Sequence, residues 1–192
     1  MTLQSMYEAH CRAGTAMSPH LPRLRELASD SISAVEFGVK RGASSTALLL
    51  GLGEMGRLTS YDILATADAL ALKSIVGHRW TYLVEDSARA IVPPANLMFF
   101  DSLHTYDQVA AELRHVSPIA RYLVFHDVTT FGEVGAEGET GRQSWTYVAG
   151  KGSVPSGHFG IRPAIDDFMI CNPSWHIIER RVESHGLLVL GR

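Results

Sequence analysis

Short apolar runs that break off on an acidic or polar residue recur along this chain, with helical patterns between them. Residues 34–37 read AVEF and stop at Gly38. Arg57–Ile63 closes near Asp62, and Trp80–Val84 runs into Glu85 and Asp86. Asn96–Phe100 ends on Asp101, and Arg121–Phe125 ends on His126 and Asp127. β-branched and aromatic residues mark these runs as strands. Ser44–Leu52, with Ser44 and Ser45 as candidate caps, Ala65–Val76, Tyr106–Val116 and Pro163–Met169 carry helix formers or a helical apolar stripe. Neighbouring parallel strands need a crossover, so the alternation predicts an α/β fold, a parallel sheet with helices on both faces. Trp175–Val182 and Leu187–Leu190, around Ser184-His185-Gly186, predict an antiparallel strand pair at the C-terminal end.

The chain has 192 residues, the size of one domain. Apolar residues make up 46% and charged residues 19%, enough to bury a core. Residues 1–30, with Leu21, Leu24 and Leu27 at helical spacing, predict an N-terminal helical cap, and 31–192 the main domain. Within it, 129–160 is long, rich in Gly, Ser and Thr, and carries Trp145, Tyr147 and Phe159, the expectation for a lid loop. The net charge of −3 and the lack of a basic run argue against nucleic acid as a partner. Two cysteines, Cys11 and Cys171, are too few for a disulfide framework. No apolar run approaches the ~20 residues of a membrane span, and no secretory signal is visible. The expectation is a cytoplasmic protein away from membranes.

In open α/β sheets ligands bind beyond the carboxyl ends of the strands. Glu36, Asp62, Asp86, Asp101 and His126/Asp127 all fall there. One terminal Asp is an ordinary turn residue; five strand ends with the same habit suggest a site. After the first strand, Gly38 and Gly42 allow a sharp turn and close approach of backbone to a ligand. A helix N-terminus at Ser44 offers free N–H groups to a polar or anionic group. The dinucleotide pattern G-x-G-x-x-G is absent. Asp62 suits the two hydroxyls of a ribose.

The segment EFGVKRGASSTALLL resembles the first motif of class I S-adenosylmethionine-dependent methyltransferases, and the branch it is most similar to holds cephalosporin-hydroxylase-like and macrolide or sugar O-methyltransferases. LPRLRELASDSISAVEFGVKRGASS, FFDSLHTYDQVAAEL, YLVFHDV and the stretch from Gly160 to Leu190 are similar to further pieces of that branch. The resemblance spans nearly the whole chain outside the extreme N-terminus and 129–160. It implies a Rossmann-like, doubly wound, mostly parallel sheet and S-adenosylmethionine as cofactor. Glu36, Gly38, Gly42 and Ser44 would hold its amino-acid end, Asp62 its ribose, and Asp86 with Ser87 its adenine. Metal-using members hold Mg²⁺ with an acid after the fourth strand and an acid pair after the fifth. Asp101 and Asp127 match as metal ligands. His126 stands where the other acid belongs, and imidazole is a poor partner for Mg²⁺, so the implied ion is Mg²⁺, another divalent metal, or none.

Asp101, His104 and His126 are the candidate catalytic residues, the histidines as general bases toward an acceptor oxygen or nitrogen. His158, His176 and His185 read as surface or turn residues, Tyr106 as packing, and Trp175 as core. The leading expectation is O-methylation of a small polar acceptor such as a sugar or glycosylated metabolite. Small members of such families often pair, which makes a second copy of the chain a candidate partner. Two alternatives use the same residues differently: a metal-dependent hydrolase built on Asp101, His104, His126 and Asp127, or a non-catalytic nucleoside-binding module. Nucleic-acid methylation is disfavoured by the acidic balance and by the absence of an Asn/Asp-Pro-Pro-aromatic motif.

Overall fold

The computed structural model describes residues 2–136, 145–148, 152–155 and 159–192, with the backbone alone described for 145–148 and 152–155. Two helices, α1 (Leu3–Arg12) and α2 (Leu21–Ser29), precede the alternating part. That part runs β1 (Ser33–Phe37), α3 (Ala43–Gly51), β2 (Arg57–Asp62), α4 (Ala67–Val76), β3 (Trp80–Val84), β4 (Leu97–Phe100), α5 (Tyr106–Leu113) and β5 (Tyr122–His126). β6 (Trp145–Val148) and β7 (Gly152–Pro155) form a separate antiparallel pair. The chain then continues through α6 (Ile161–Cys171), β8 (His176–Arg181) and β9 (Leu187–Gly191). The stretch 129–160, expected to be wholly irregular, therefore contains a two-stranded ladder. Residues 137–144, 149–151 and 156–158 of the predicted lid lie outside the described residues.

The main sheet has seven strands in the order β3-β2-β1-β4-β5-β9-β8. β1 to β5 are mutually parallel; β9 runs antiparallel to β5, and β8 antiparallel to β9. This is the expected mixed α/β sheet, a single Rossmann-like domain with an antiparallel C-terminal pair. Side chains alternate across it. In β4, Leu97 and Phe99 enter a core with α1 to α4, whereas Met98 and Phe100 enter a second core with α5 and α6. Both faces are covered, which is why the strands read as unbroken apolar runs and not as alternating ones. Leu21, Leu24 and Leu27 are buried against the first core, so α2 closes one face of the sheet. Among the described residues, no helix is long and apolar enough to cross a membrane.

β1 lies between β2 and β4, so the strand order reverses between β1 and β4, the place at which open α/β sheets carry a crevice beyond the carboxyl ends of their strands. Here two backbones touch. Gly38 has φ +89°, and a Cβ on it would fall 2.1 Å from the Asp101 carbonyl oxygen. The Asp101 N–H donates to the Phe37 carbonyl at 2.8 Å. Any side chain at Gly38 would therefore push apart the two loops that line the crevice. Gly38→Ala is expected to cost at least about 2 kcal/mol in urea unfolding, since strain and clash add. Gly53→Ala, at φ +66° but in open space, is expected to cost only about 1 kcal/mol.

Candidate active site

Glu36 is fully buried beneath the loop that follows β1. Its carboxylate accepts from the hydroxyls of Ser44 (2.6 Å), Ser45 (2.7 Å) and Ser60 (2.6 Å). Trp80 Nε1 donates to Ser60 Oγ in turn. Burial pushes Glu36 up to about 7 despite the three serine bonds, which favour the charged form. The helix cap differs from expectation. Gly42, at φ +78°, is the N-cap of α3 and no side chain caps it. Ser44 and Ser45 sit inside the first turn, where Glu36 claims their hydroxyls. The first N–H groups of α3 are thus left to face a ligand. Across the loop, Asp62 Oδ2 accepts from the Val39 and Lys40 N–H groups, both at 2.8 Å. Glu36 from beneath and Asp62 from the side fix residues 38–45, and Asp62 sits at the end of β2 beside them.

Asp86 and Ser87 follow β3. Asp86 Oδ1 accepts from the Ala88 N–H at 3.0 Å. Ser87 is buried and donates to Glu112 Oε1 at 2.5 Å. Ser102 Oγ and Gln108 Nε2 donate to the same oxygen, at 2.6 and 2.9 Å. Glu112 is fully buried, and burial pushes it up to about 7. The sequence reading missed it. The available signal was an acid three residues after Val109 on the inward stripe of α5.

The third group gathers beyond β4 and β5. Asp101 Oδ1 lies 3.3 Å from His104 Nε2 and 3.1 Å from His126 Nδ1. Asp127 Oδ2 lies 2.9 Å and 3.3 Å from the same two nitrogens. Burial alone would lower both imidazoles; the bonds to Asp101 and Asp127 override it and raise His104 to about 9 and His126 to about 10. Burial would likewise raise Asp127, but the two histidines hold it well below the usual carboxylate range. Both histidines therefore carry a proton near neutral pH, which turns them from the expected bases into fixed positive charges. The His104 ring stacks on Phe131 at 5.0 Å.

Two further histidines were not foreseen. His185 Nδ1 lies 2.9 Å from Asp127 Oδ1, so it belongs to the cluster and is more than a turn residue. His20, fully buried ahead of α2, meets the His126 ring edge-on at 5.3 Å and reaches the Ser184 carbonyl with Nε2. His176 is exposed as expected, and His158 lies outside the described residues. Trp175 is buried against Phe168 as core. Tyr106 packs at the start of α5 and donates its hydroxyl to Asp167.

Asp101, His104 and Asp127 can bring three ligand atoms within 4.8 Å of one another. The mixed nitrogen and oxygen set fits a borderline transition ion better than Mg²⁺, which demands oxygen. The nitrogens of His104 and His126 thus stand beside the two acids and change the chemistry of the set.

With this geometry in place, comparison with known proteins finds that residues 35–128 match a family model described as a methyltransferase domain. The fold agrees with solved structures at low identity. One is the 1,6-didemethyltoxoflavin-N1-methyltransferase of Burkholderia thailandensis, solved with 1,6-didemethyltoxoflavin and S-adenosylhomocysteine. It has a TM-score of 0.61 and 11% identity, over 92% of this chain and 78% of that one. A Podospora anserina methyltransferase bound to S-adenosylhomocysteine gives 0.61 and 15%, over 98% and 86%. The N-terminal domain of EvdMO1, solved in the presence of S-adenosylhomocysteine and D-fucose, gives 0.56 and 12%, over 91% and 81%. No curated relative matches the chain by sequence. All three of these neighbours, which share the fold of this chain, were solved with S-adenosylhomocysteine.

The two raised histidines make stability pH-dependent. Their folded pKa values lie above the ~6.5 of a free imidazole. Their stabilisation is therefore complete below about pH 6.5 and is lost as pH rises through 9 to 10. In thermal melts followed by circular dichroism, the midpoint is expected to fall between pH 7 and 10.5. His104→Asn is expected to have a lower midpoint at pH 7 and a shallower fall.

Proposed function

We propose that this protein transfers the methyl group of S-adenosylmethionine to a hydroxyl of a small polar acceptor, such as a sugar or glycosylated metabolite, as in the cephalosporin-hydroxylase-like and macrolide or sugar O-methyltransferase branch. The observation that carries the reading is the convergence at the β1/β4 crevice. The fixed loop 38–45, Asp62 and the Asp86-Ser87 turn line one side, and the Asp101/His104/His126/Asp127 cluster lines the other. The amino-acid end of the cofactor goes to Gly38, Gly42 and the N-terminus of α3, with Glu36 and Ser44 holding that loop. The ribose goes to Asp62 and the adenine to the Asp86-Ser87 turn. A cytoplasmic location accompanies an intracellular cofactor. One structural neighbour solved in the presence of D-fucose supports a sugar-like acceptor.

In this reading the acceptor oxygen attacks the sulfonium methyl in line. A C–O bond forms, the C–S bond breaks, and neutral S-adenosylhomocysteine leaves. Alignment supplies most of the acceleration. The acceptor's proton goes to Asp101, which is 23% exposed, whereas the His126 side chain beside it is 4% exposed. His104 and His126, each carrying a proton, orient Asp101 and Asp127 and balance their charge. With His104 deprotonated, Asp101, His104 and Asp127 would instead hold a transition ion, which when bound would polarise an acceptor oxygen.

Calorimetry on the purified chain tests the reading. S-adenosylhomocysteine is expected to bind, and Asp62→Ala to weaken it roughly 10- to 100-fold through the lost ribose hydrogen bonds. Asp101→Asn is expected to keep cofactor affinity while lowering methyl transfer about 10²- to 10⁴-fold. Absence of binding by either S-adenosylmethionine or S-adenosylhomocysteine overturns it.

A further inference from the structure

The network around Glu112 has a direction. Glu112 Oε1 accepts three hydrogen bonds, from Ser87 Oγ, Ser102 Oγ and Gln108 Nε2. Gln108 Nε2 also donates to Ser87 Oγ at 2.9 Å, so both of its hydrogens are used. The single hydrogen of each serine hydroxyl is therefore committed inward. What remains on the two hydroxyls is acceptor capacity alone: two lone pairs on the half-buried Ser102 Oγ and one on the buried Ser87 Oγ. Asp86 beside them is also an acceptor. These groups sit at the carboxyl ends of β3 and β4. A Cβ on Gly38 would lie 3.0 Å from the Ser102 nitrogen, so Ser102 adjoins the loop proposed to hold the cofactor. Glu112 Oε2 is buried with no hydrogen-bond partner among the described residues. A buried acid held in this way has no gain of its own in stability terms, which points to the serines it orients.

We propose that Glu112 is the positioning residue that sets base specificity, by turning Ser87 and Ser102 into pure hydrogen-bond acceptors that take a heterocycle bearing an exocyclic amino group and reject one bearing an oxo group there. This rests on the adenine placement proposed above. The 6-amino group of adenine donates to such a surface. A 6-oxo group, as in hypoxanthine, meets lone pairs and is left unpaired, and a polar site rejects a ligand that leaves buried groups unpaired far more strongly than an apolar pocket does. Among the other buried titratable groups, Glu36 takes the hydroxyls of Ser44, Ser45 and Ser60, which are all buried, whereas Ser102 is half-buried.

The test is calorimetry with two probes, S-adenosylhomocysteine and S-inosylhomocysteine. The unaltered protein is expected to prefer the adenine compound by at least about 30-fold. Glu112→Leu frees both serine hydrogens to donate, so the preference is expected to fall to within about threefold, largely through gained affinity for the inosine compound. A merely structural role would weaken both probes together and leave their ratio unchanged. Ser102→Ala, which keeps Glu112, covers the case in which Glu112→Leu does not fold; it is expected to lose affinity for the adenine compound alone. Equal binding of both probes by the unaltered protein, or an unchanged ratio in folded Glu112→Leu or Ser102→Ala, overturns the inference while leaving the cofactor assignment standing. Failure of S-adenosylhomocysteine to bind at all overturns both.

Discussion

The buried carboxylate of Glu36 is the contact on which the rest of the site depends. It gathers hydroxyls from the start of α3 and the middle of β2 while sitting on β1 itself. Those three elements surround the loop that faces the crevice, so one side chain sets their mutual position. Asp62 completes the frame by holding the Val39 and Lys40 amides from outside. The close contact of Gly38 with Asp101 then transmits that position across the sheet, from the loop after β1 to the loop after β4. The proposed cofactor and acceptor subsites are thereby held in one rigid relation, which is what alignment-driven group transfer requires.

Glu112 repeats the device one strand pair away. Each acid is fully buried, each collects hydroxyl donors from two neighbouring segments, and burial lifts each to about 7. Such groups favour folding most when protonated, so both work against stability as pH rises from about 4.5 through 7. The histidine cluster favours folding throughout that range and yields only at higher pH. The acids are retained at a cost in stability, consistent with residues kept for the geometry they impose on a site.

Much of the fold was legible because local and long-range signals agreed. Trp80–Val84 reads as a strand by composition and is one, and Leu21, Leu24 and Leu27 read as a buried stripe and are one. The polar residues Asp62, Asp101 and His126/Asp127 were legible as strand ends because each closes an apolar run, and the structure ends β2, β4 and β5 there. The departures have a common cause in long-range contact. Ser44 and Ser45 look like caps until Glu36, eight and nine residues earlier, is seen to take their hydroxyls. His185 looks like a turn residue because Asp127 is 58 positions away, and His20 joins the cluster only because α2 packs beside the β8–β9 turn. His104 and His126 look like free bases in sequence; two carboxylates on each make them cations.

The central claim is that one crevice, framed by Glu36 and Asp62, holds the nucleoside of the cofactor with its sulfur turned toward Asp101. A crystal structure of the chain soaked with S-adenosylhomocysteine tests it most directly. The account predicts ribose hydroxyls within hydrogen-bond reach of Asp62, the homocysteine end against residues 38–45, and the sulfur facing the Asp101 cluster. A nucleoside bound away from Asp62, or bound with its sulfur turned from Asp101, would contradict it.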